Sequence, residues 1–129
     1  MTKAQDRAFQ TLWNAALAAG NAAGAAAKPT PMIVNYLANP LDDNSVVKQE
    51  FIADGMCGFA WLAFRGRNPF INWMRRNRIG SKDYPSGWSY WIGAFNQSID
   101  RKEKAARAMA ETLRAAVPDL KVYAQSRLD

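Results

Sequence analysis

The longest regular pattern in the chain is helical and lies at its N-terminus. Apolar residues recur there at the spacing of one helix face: Phe9, Leu12, Trp13 and Ala16. Thr2 with Gln5 three residues later is typical of a capping box, which predicts where the helix begins. Residues 1–28 are therefore predicted to form one helix, and Gly20 and Gly24 are expected to allow close packing against it.

Two β-prone runs, residues 46–52 and 57–64, flank the dipeptide Asp54-Gly55. An Asp-Gly pair between such runs is a strong hairpin signal, because a type I′ turn needs a positive φ at both central residues. The pattern therefore predicts that these two runs pair with each other as a β-hairpin.

The second of these runs is apolar on both faces. Alternation places Cys57, Phe59, Trp61 and Ala63 on one face and Gly58, Ala60, Leu62 and Phe64 on the other. Two apolar faces are typical of a central strand that is covered on both sides. Trp61 is accordingly expected in the core, as is Trp91 of a later strand. Cys57 is expected to be a buried core cysteine, since a strand interior seldom supplies the cation that activates a thiol.

A short basic helix is predicted next. Asn68 suits its N-cap, Pro69 suits the first helical position, and Gly80 ends it. No acidic residue lies between Asp54 and Asp83, whereas six basic ones do: Arg65, Arg67, Arg75, Arg76, Arg78 and Lys82. Most of the net charge of +6 is concentrated in this segment.

The remaining segments complete an α-β-β-β-α-β-α-β order. Further strands are predicted at 32–37, 88–95 and 120–124, and a helix from Ser98 to Pro118. This order predicts one α+β domain over residues 1–129, with a mixed or mainly antiparallel sheet of about five strands packed by three helices. Residues 31–129 would hold the sheet and two crossover helices, each expected to be right-handed.

Composition narrows the class of protein. A hydrophobic content of 49% with five tryptophans argues against disorder, and a single cysteine excludes an intramolecular disulfide. No run predicts a membrane span, and the N-terminus lacks the apolar core of a signal peptide. We expect a protein without membrane contacts in a reducing compartment.

Most familiar catalytic chemistry finds no support in the sequence. The chain has no histidine, which removes Ser-His-Asp and Cys-His catalysis and most zinc sites. Its carboxylates show no spacing typical of paired acid–base catalysis, and the polar loop at 38–45 lacks the alternation of a calcium site. There is no phosphate-binding glycine motif. We therefore expect no enzyme, no metal and no cofactor.

The basic segment predicts an anion-binding surface instead. A helix N-terminus directs free N–H groups at an anion, and guanidinium groups can hold a phosphate bidentately. The residues predicted to bind phosphate or nucleic acid are Arg65, Arg67, Asn68, Arg75, Arg76, Arg78 and Lys82. Candidates for stacking on bases are Trp73, Trp88 and Tyr90. Trp91 is a further candidate, although the core is the favoured position for it. The alternative interpretation places these aromatics in the core and leaves the arginines solvated.

Several short segments carry a family resemblance. They are PMIV at 31–34, DGMCGFAW at 54–61, KDY at 82–84, NQS at 96–98 with RKE at 101–103, and SRLD at 126–129. Together they resemble an uncharacterised family of small proteins encoded by tailed bacteriophages and prophages. The resemblance implies a viral protein in the cytoplasm of an infected bacterial host, or in the virion. It implies no mechanism and no functional residues.

Two hypotheses of function follow. The first is a non-enzymatic protein that binds nucleic acid or another phosphate-bearing ligand through its basic surface. The second is a protein–protein binder, which places the same surface on an acidic protein patch. That partner would be a host factor or defence protein that it inhibits, or another virion component. The sequence leaves the oligomeric state open.

Overall fold

A computed structural model describes all 129 residues. In chain order the elements are α1 (Lys3–Ala26), β1 (Met32–Leu37), β2 (Val46–Ile52), β3 (Gly58–Arg65), α2 (Pro69–Arg76), β4 (Ser81–Lys82), β5 (Trp88–Trp91), α3 (Ile99–Ala116) and β6 (Lys121–Leu128). The protein is of the α+β class, with three helices and two antiparallel sheets, which confirms the predicted fold class.

The larger sheet has four strands in the order β4-β5-β3-β6, and every pair in it is antiparallel. Since β5 and β6 lie on either side of β3, they run parallel to each other, and α3 connects them across β3. α2 is followed in the chain by the two-residue β4, which lies beyond β5 and runs parallel to β3, so α2 also connects two parallel strands of this sheet. The predicted strand at 88–95, observed as β5, is an antiparallel neighbour of β3.

The predicted helix starts are confirmed. The Thr2 hydroxyl accepts a hydrogen bond from the Gln5 N–H, and the Gln5 side chain accepts one from the Thr2 N–H, at 3.1 and 3.0 Å. The Asn68 side chain caps α2 and the Ser98 hydroxyl caps α3. These caps satisfy backbone donors that a helix leaves unpaired at its first turn.

The core lies between the helices and one face of the larger sheet. All three helices contribute to it, and the fully buried large side chains are Leu62, Phe64, Phe70, Trp73, Met74, Leu113 and Val122. Gly58 of β3 allows α3 to approach closely, because a Cβ there would lie 2.6 Å from the Ile99 side chain. Gly20 of α1 does the same, because a Cβ there would lie 2.6 Å from Met109.

The predicted hairpin between β2 and β3 is wrong. β2 pairs with β1 in a separate two-stranded sheet, from Met32 opposite Ile52 to Leu37 opposite Val46. At the dipeptide Asp54-Gly55 only the glycine has a positive φ, of 74°, so no type I′ turn forms.

The Asp54-Gly55 turn packs instead against the start of α3. The Ser98 hydroxyl donates to the Asp54 carbonyl at 2.9 Å, and the Arg101 guanidinium donates to the Asp54 carboxylate at 3.1 Å. The polar groups of the turn are therefore bonded to α3 and do not close a hairpin, and β2 is directed away from β3.

The prediction that β3 is covered on both faces is also wrong. β3 is central within its sheet, but the helices cover only the face of Ala60, Leu62 and Phe64. Cys57 and Trp91 are exposed and Trp61 is half-buried. The predictions that these three residues lie in the core are therefore wrong. The physical reason is that the chain supplies three helices and all of them lie on one side.

Replacing Gly55 with Ala should lower the free energy of unfolding by about 1–3 kcal/mol, because the φ of 74° strains any L residue and a Cβ would lie 2.5 Å from the Thr30 carbonyl oxygen. Urea unfolding followed by circular dichroism measures the change. Gly93→Ala is the matched control, since a Cβ there meets nothing within 4 Å, and it should be neutral or slightly stabilising. Equal stability of the two variants would contradict this role of the turn.

Candidate nucleic-acid interface

Two of the predicted binding residues are engaged inside the fold. Asn68 is buried, and its side-chain oxygen accepts the Phe70 N–H at 2.9 Å. Trp73 is completely buried, and its Nε1 donates to the Asp6 carboxylate at 2.7 Å. Trp73 therefore cannot stack on a base, and Asn68 acts as a helix cap whose oxygen is already bonded. Both side chains serve the packing of α2.

Arg65 lies at the end of β3 and already has an anionic partner. Its guanidinium contacts the Asp83 carboxylate at 2.7 Å, and the arginine side chain is about half exposed. The ion pair connects β3 to the loop before β5. Arg65 thus keeps an accessible guanidinium, but one whose charge is partly neutralised.

A second group of predicted residues meets at the β4 edge of the sheet. The Arg75 guanidinium lies 4.8 Å from the centre of the Trp88 ring, and Lys82 is opposite Trp88 in the ladder. The Trp88 Nε1 donates to the Ile79 carbonyl at 2.7 Å. The arginine covers one face of the indole, so that face is closed to a base.

The remaining arginines are exposed and spread around α2. Arg67 precedes this helix and Arg78 follows it, and eight helical residues extend about 12 Å. Arg76 contacts the sulfur of Met1 through its guanidinium. Arg67 and Arg78 therefore lie beyond opposite ends of this helix, and Arg75 and Arg76 lie in its last turn.

Tyr90 faces the helices and is half-buried. Its ring packs edge-on against Trp13, with centroids 4.9 Å apart and an interplanar angle of 87°. Burial raises the pKa of the Tyr90 hydroxyl above its ordinary value, because the phenolate would lose hydration. This position favours a packing role over a stacking role for Tyr90.

The aromatic surface that the structure does expose lies on the other face of the sheet. Trp61 and Trp91 are directly paired across β3 and β5, and their rings stack with centroids 4.5 Å apart and planes 18° apart. The Phe59 ring packs edge-on against Trp91 at 6.0 Å. Trp91 is 43% exposed. We call Phe59, Trp61 and Trp91 the aromatic platform.

Cations accompany the aromatic platform. The Arg127 guanidinium lies 5.4 Å from the centre of the Phe59 ring and 5.9 Å from that of Trp91. Arg127 is opposite Phe59 in the β3–β6 ladder, and Lys121 is opposite Arg65 at the far end of that ladder. Alternation places all four residues on the uncovered face of the sheet. This face combines one exposed aromatic ring, that of Trp91, and two half-buried ones with positive charge at both ends.

Sequence reasoning missed this surface, although β6 carries a signal for it. Tyr123, Gln125 and Arg127 share one face by alternation and are exposed, whereas on the other face Val122 is buried and Ala124 is half-buried. Polar residues at every second position indicate a solvated face. The strand was predicted to end at residue 124, which left out Arg127.

Comparison with known proteins gives no further guide to this site. No protein-family model, no curated protein and no solved structure matches the chain. None of the helices combines the length and the apolar character needed to cross a membrane. No group of three or more His, Cys, Asp or Glu side chains is arranged to hold a metal ion. The function is therefore inferred from the geometry of the chain itself.

Replacing Asp6 with Ala should lower the free energy of unfolding by about 1–3 kcal/mol, because it leaves the buried Trp73 N–H without an acceptor. Denaturant unfolding measures the loss. Asp6→Asn removes the charge but keeps an oxygen acceptor, and should cost less than Asp6→Ala. In a Trp73→Phe background the Asp6→Ala change should have little effect, and an undiminished effect there would refute the assigned bond.

Proposed function

We propose that this protein binds single-stranded nucleic acid on the uncovered face of its four-stranded sheet and catalyses no reaction. The observation that carries the proposal is the aromatic platform, which lies on an exposed sheet face with the Arg127 guanidinium beside two of its rings. Aromatic side chains on a cationic surface are what unpaired bases and a phosphate backbone require together.

Stacking would supply one part of the affinity. Trp61 already stacks on one face of the Trp91 indole, so a base would use the other face of this 43% exposed side chain and would displace Arg127 where the two compete. Each stacked base contributes about 1–3 kcal/mol. Phe59 and Trp61 are two residues apart on one strand, a spacing of about 7 Å. Neighbouring bases of an extended strand could therefore be accommodated along β3.

Phosphate contacts would supply the other part. Arg127 lies at one end of the face, and Lys121 and Arg65 lie at the other. The strand rise places these ends about 20 Å apart, which several nucleotides of extended single strand can span. The Arg65 guanidinium would bind a phosphate in place of Asp83, or bind both at once. Arg67, Arg75, Arg76, Arg78 and Lys82 would add long-range attraction to a polyanion.

A single strand suits this face better than a duplex. Bases inside a duplex are already stacked and paired, so a sheet face cannot reach their π-surfaces. A single strand can present its bases to aromatic side chains. The platform would be unused in duplex binding, which would depend on the cations alone.

A protein–protein role is the second candidate, and a specific observation favours it. The β1–β2 hairpin exposes large apolar side chains, among them Ile33 and Phe51. Because the sequence resembles a family of bacteriophage proteins, the partner would be a host or defence factor, or a virion component. The exposed apolar pair is uncharged, so it does not suit the acidic partner that the basic segment predicted.

Fluorescence anisotropy of labelled oligonucleotides at two salt concentrations should show tighter binding of single strands than of duplexes. Trp91→Ala should weaken single-strand binding about tenfold or more, because one stacking contact is lost. Arg127→Ala should weaken binding and reduce the slope of log affinity against log salt by about one unit.

Matched variants define the controls. Trp91→Phe keeps an aromatic ring and should retain most of the affinity. Arg107→Ala removes one exposed positive charge from α3, which packs on the opposite face of the sheet, and should change affinity little. No binding at low salt, or wild-type affinity of Trp91→Ala, would overturn the proposal. Loss of binding in Arg75→Ala or Arg78→Ala alone would move the site to α2.

A further inference from the structure

The β1–β2 hairpin stands apart from the rest of the fold. β1 and β2 hydrogen-bond only to each other, in a sheet separate from the four-stranded one. A two-stranded ribbon is marginally stable by itself, because it cannot bury enough apolar surface. We call residues 32–52 the arm. Its exposed apolar residues therefore call for an explanation.

On one face of the arm, the charged side chains contact each other and an aromatic ring. Lys48 forms a salt bridge with Glu50 at 3.2 Å, and its ammonium group lies 5.2 Å from the centre of the Tyr36 ring. The apolar residues of this face, such as Met32 and Ile52, are half-buried. This face of the arm therefore gives no indication of a binding partner.

The opposite face carries no charge. Two of its cross-strand pairs are Ile33 with Phe51 and Asn35 with Gln49. A β-bulge follows between Tyr36 and Leu37, where Leu37 lies opposite Val46 and Val47 is the extra, exposed residue. We call it the uncharged face. Ile33 and Phe51 are 63% and 69% exposed, although both are large and apolar. Exposed apolar pairs on an isolated ribbon are typical of a surface that is covered in an assembly.

The uncharged face is complementary to itself. Its amide pair, Asn35 with Gln49, lies in the middle, with Ile33 and Phe51 on one side and the apolar residues of the bulge, Leu37, Val46 and Val47, on the other. Rotation by half a turn about the amide pair superimposes apolar on apolar and amide on amide, which is the requirement of a two-fold interface. A second copy carries the same net charge of +6, so it would approach most easily where neither copy presents a charge.

We propose that two copies of this chain associate through the uncharged faces of their arms, packed antiparallel about a two-fold axis at Asn35 and Gln49. The Ile33–Phe51 pair of one copy packs on the Leu37–Val46 pair of the other. The amide side chains at the centre hydrogen-bond across the axis, which satisfies them once water is excluded.

A cavity at the root of the arm extends this interface. It has a volume of about 480 Å³, and its apolar lining includes Ile33 of the uncharged face with Met56 and Ile99. Antiparallel packing brings the tip of one arm beside the root of the other. The tip carries Leu41, which is 96% exposed and makes no use of its apolar side chain within its own copy. Leu41 of each copy therefore covers the cavity of the other.

The size of the interface sets the expected strength. Three cross-strand pairs from each copy form a contact smaller than a standard stable interface, and the tip contact enlarges it only partly. The dimer is therefore expected to dissociate in the micromolar range. Sedimentation velocity from nanomolar to high micromolar protein should show a reversible monomer–dimer equilibrium in the absence of nucleic acid.

Leu41→Asp is the first variant to test, because Leu41 is almost fully exposed and its replacement cannot disturb the isolated copy. It should weaken the dimer about tenfold or more, since each interface would bury two unpaired carboxylates. Phe51→Lys should abolish the dimer. Lys48→Ala, on the opposite face of the same strand, is the matched control and should leave the equilibrium unchanged.

Disulfide trapping tests the axis directly. In a Cys57→Ser background, Asn35→Cys should give a covalent dimer under mild oxidation, because a two-fold axis at this residue brings its two copies together. Lys48→Cys should not. A monomer at every concentration, a dimer that survives both Leu41→Asp and Phe51→Lys, or equal trapping at positions 35 and 48 would each overturn the proposal. None of these measurements depends on binding of nucleic acid.

Discussion

The close approach of α3 to β3 is the constraint on which the rest of the structure depends. Gly58 leaves no space for a Cβ between β3 and Ile99, so the helix lies directly on the strand. Gly20 then brings α1 onto α3 at Met109. Once the three helices are layered on this side, the chain has no helix left to cover the other face of the sheet. The uncovered face with its aromatic platform is a consequence of how the core is built.

Local signals in the sequence predicted the elements well. The reciprocal bonds of Thr2 and Gln5, the Asn68-Pro69 start of α2 and the Ser98 start of α3 depend on residues within one turn of each other. The pairing of strands does not depend on such local contacts. The Asp54-Gly55 signal is local too, yet its polar groups bond to Ser98 and Arg101, residues more than forty positions away. A turn signal cannot show which distant partner competes for its groups.

The candidate site failed to emerge from the sequence for a related reason. Periodicity shows which side chains share a face, but the face that becomes covered depends on where the helices pack. Trp73 was a stacking candidate and is buried, because the short helix that carries it packs into the core and Asp6 accepts its N–H. Trp91 was a core candidate and is exposed, because no helix lies on its side of the sheet. Both tryptophans sit in apolar patterns that look alike along the chain.

The two proposed surfaces suit different occupants because their charges differ. The sheet face joins Arg127 and Lys121 to aromatic rings and suits a polyanion, whereas the uncharged face of the arm suits a copy of the same basic chain. If both proposals hold, a dimer presents two aromatic platforms to one strand. The second platform then binds at a high effective concentration, so avidity would exceed the affinity of either face. Weakening the arm contact at Leu41 would lower the affinity for long oligonucleotides, which can reach both platforms, and leave the affinity for short ones unchanged. The arm would then influence nucleic-acid binding at the sheet without touching it.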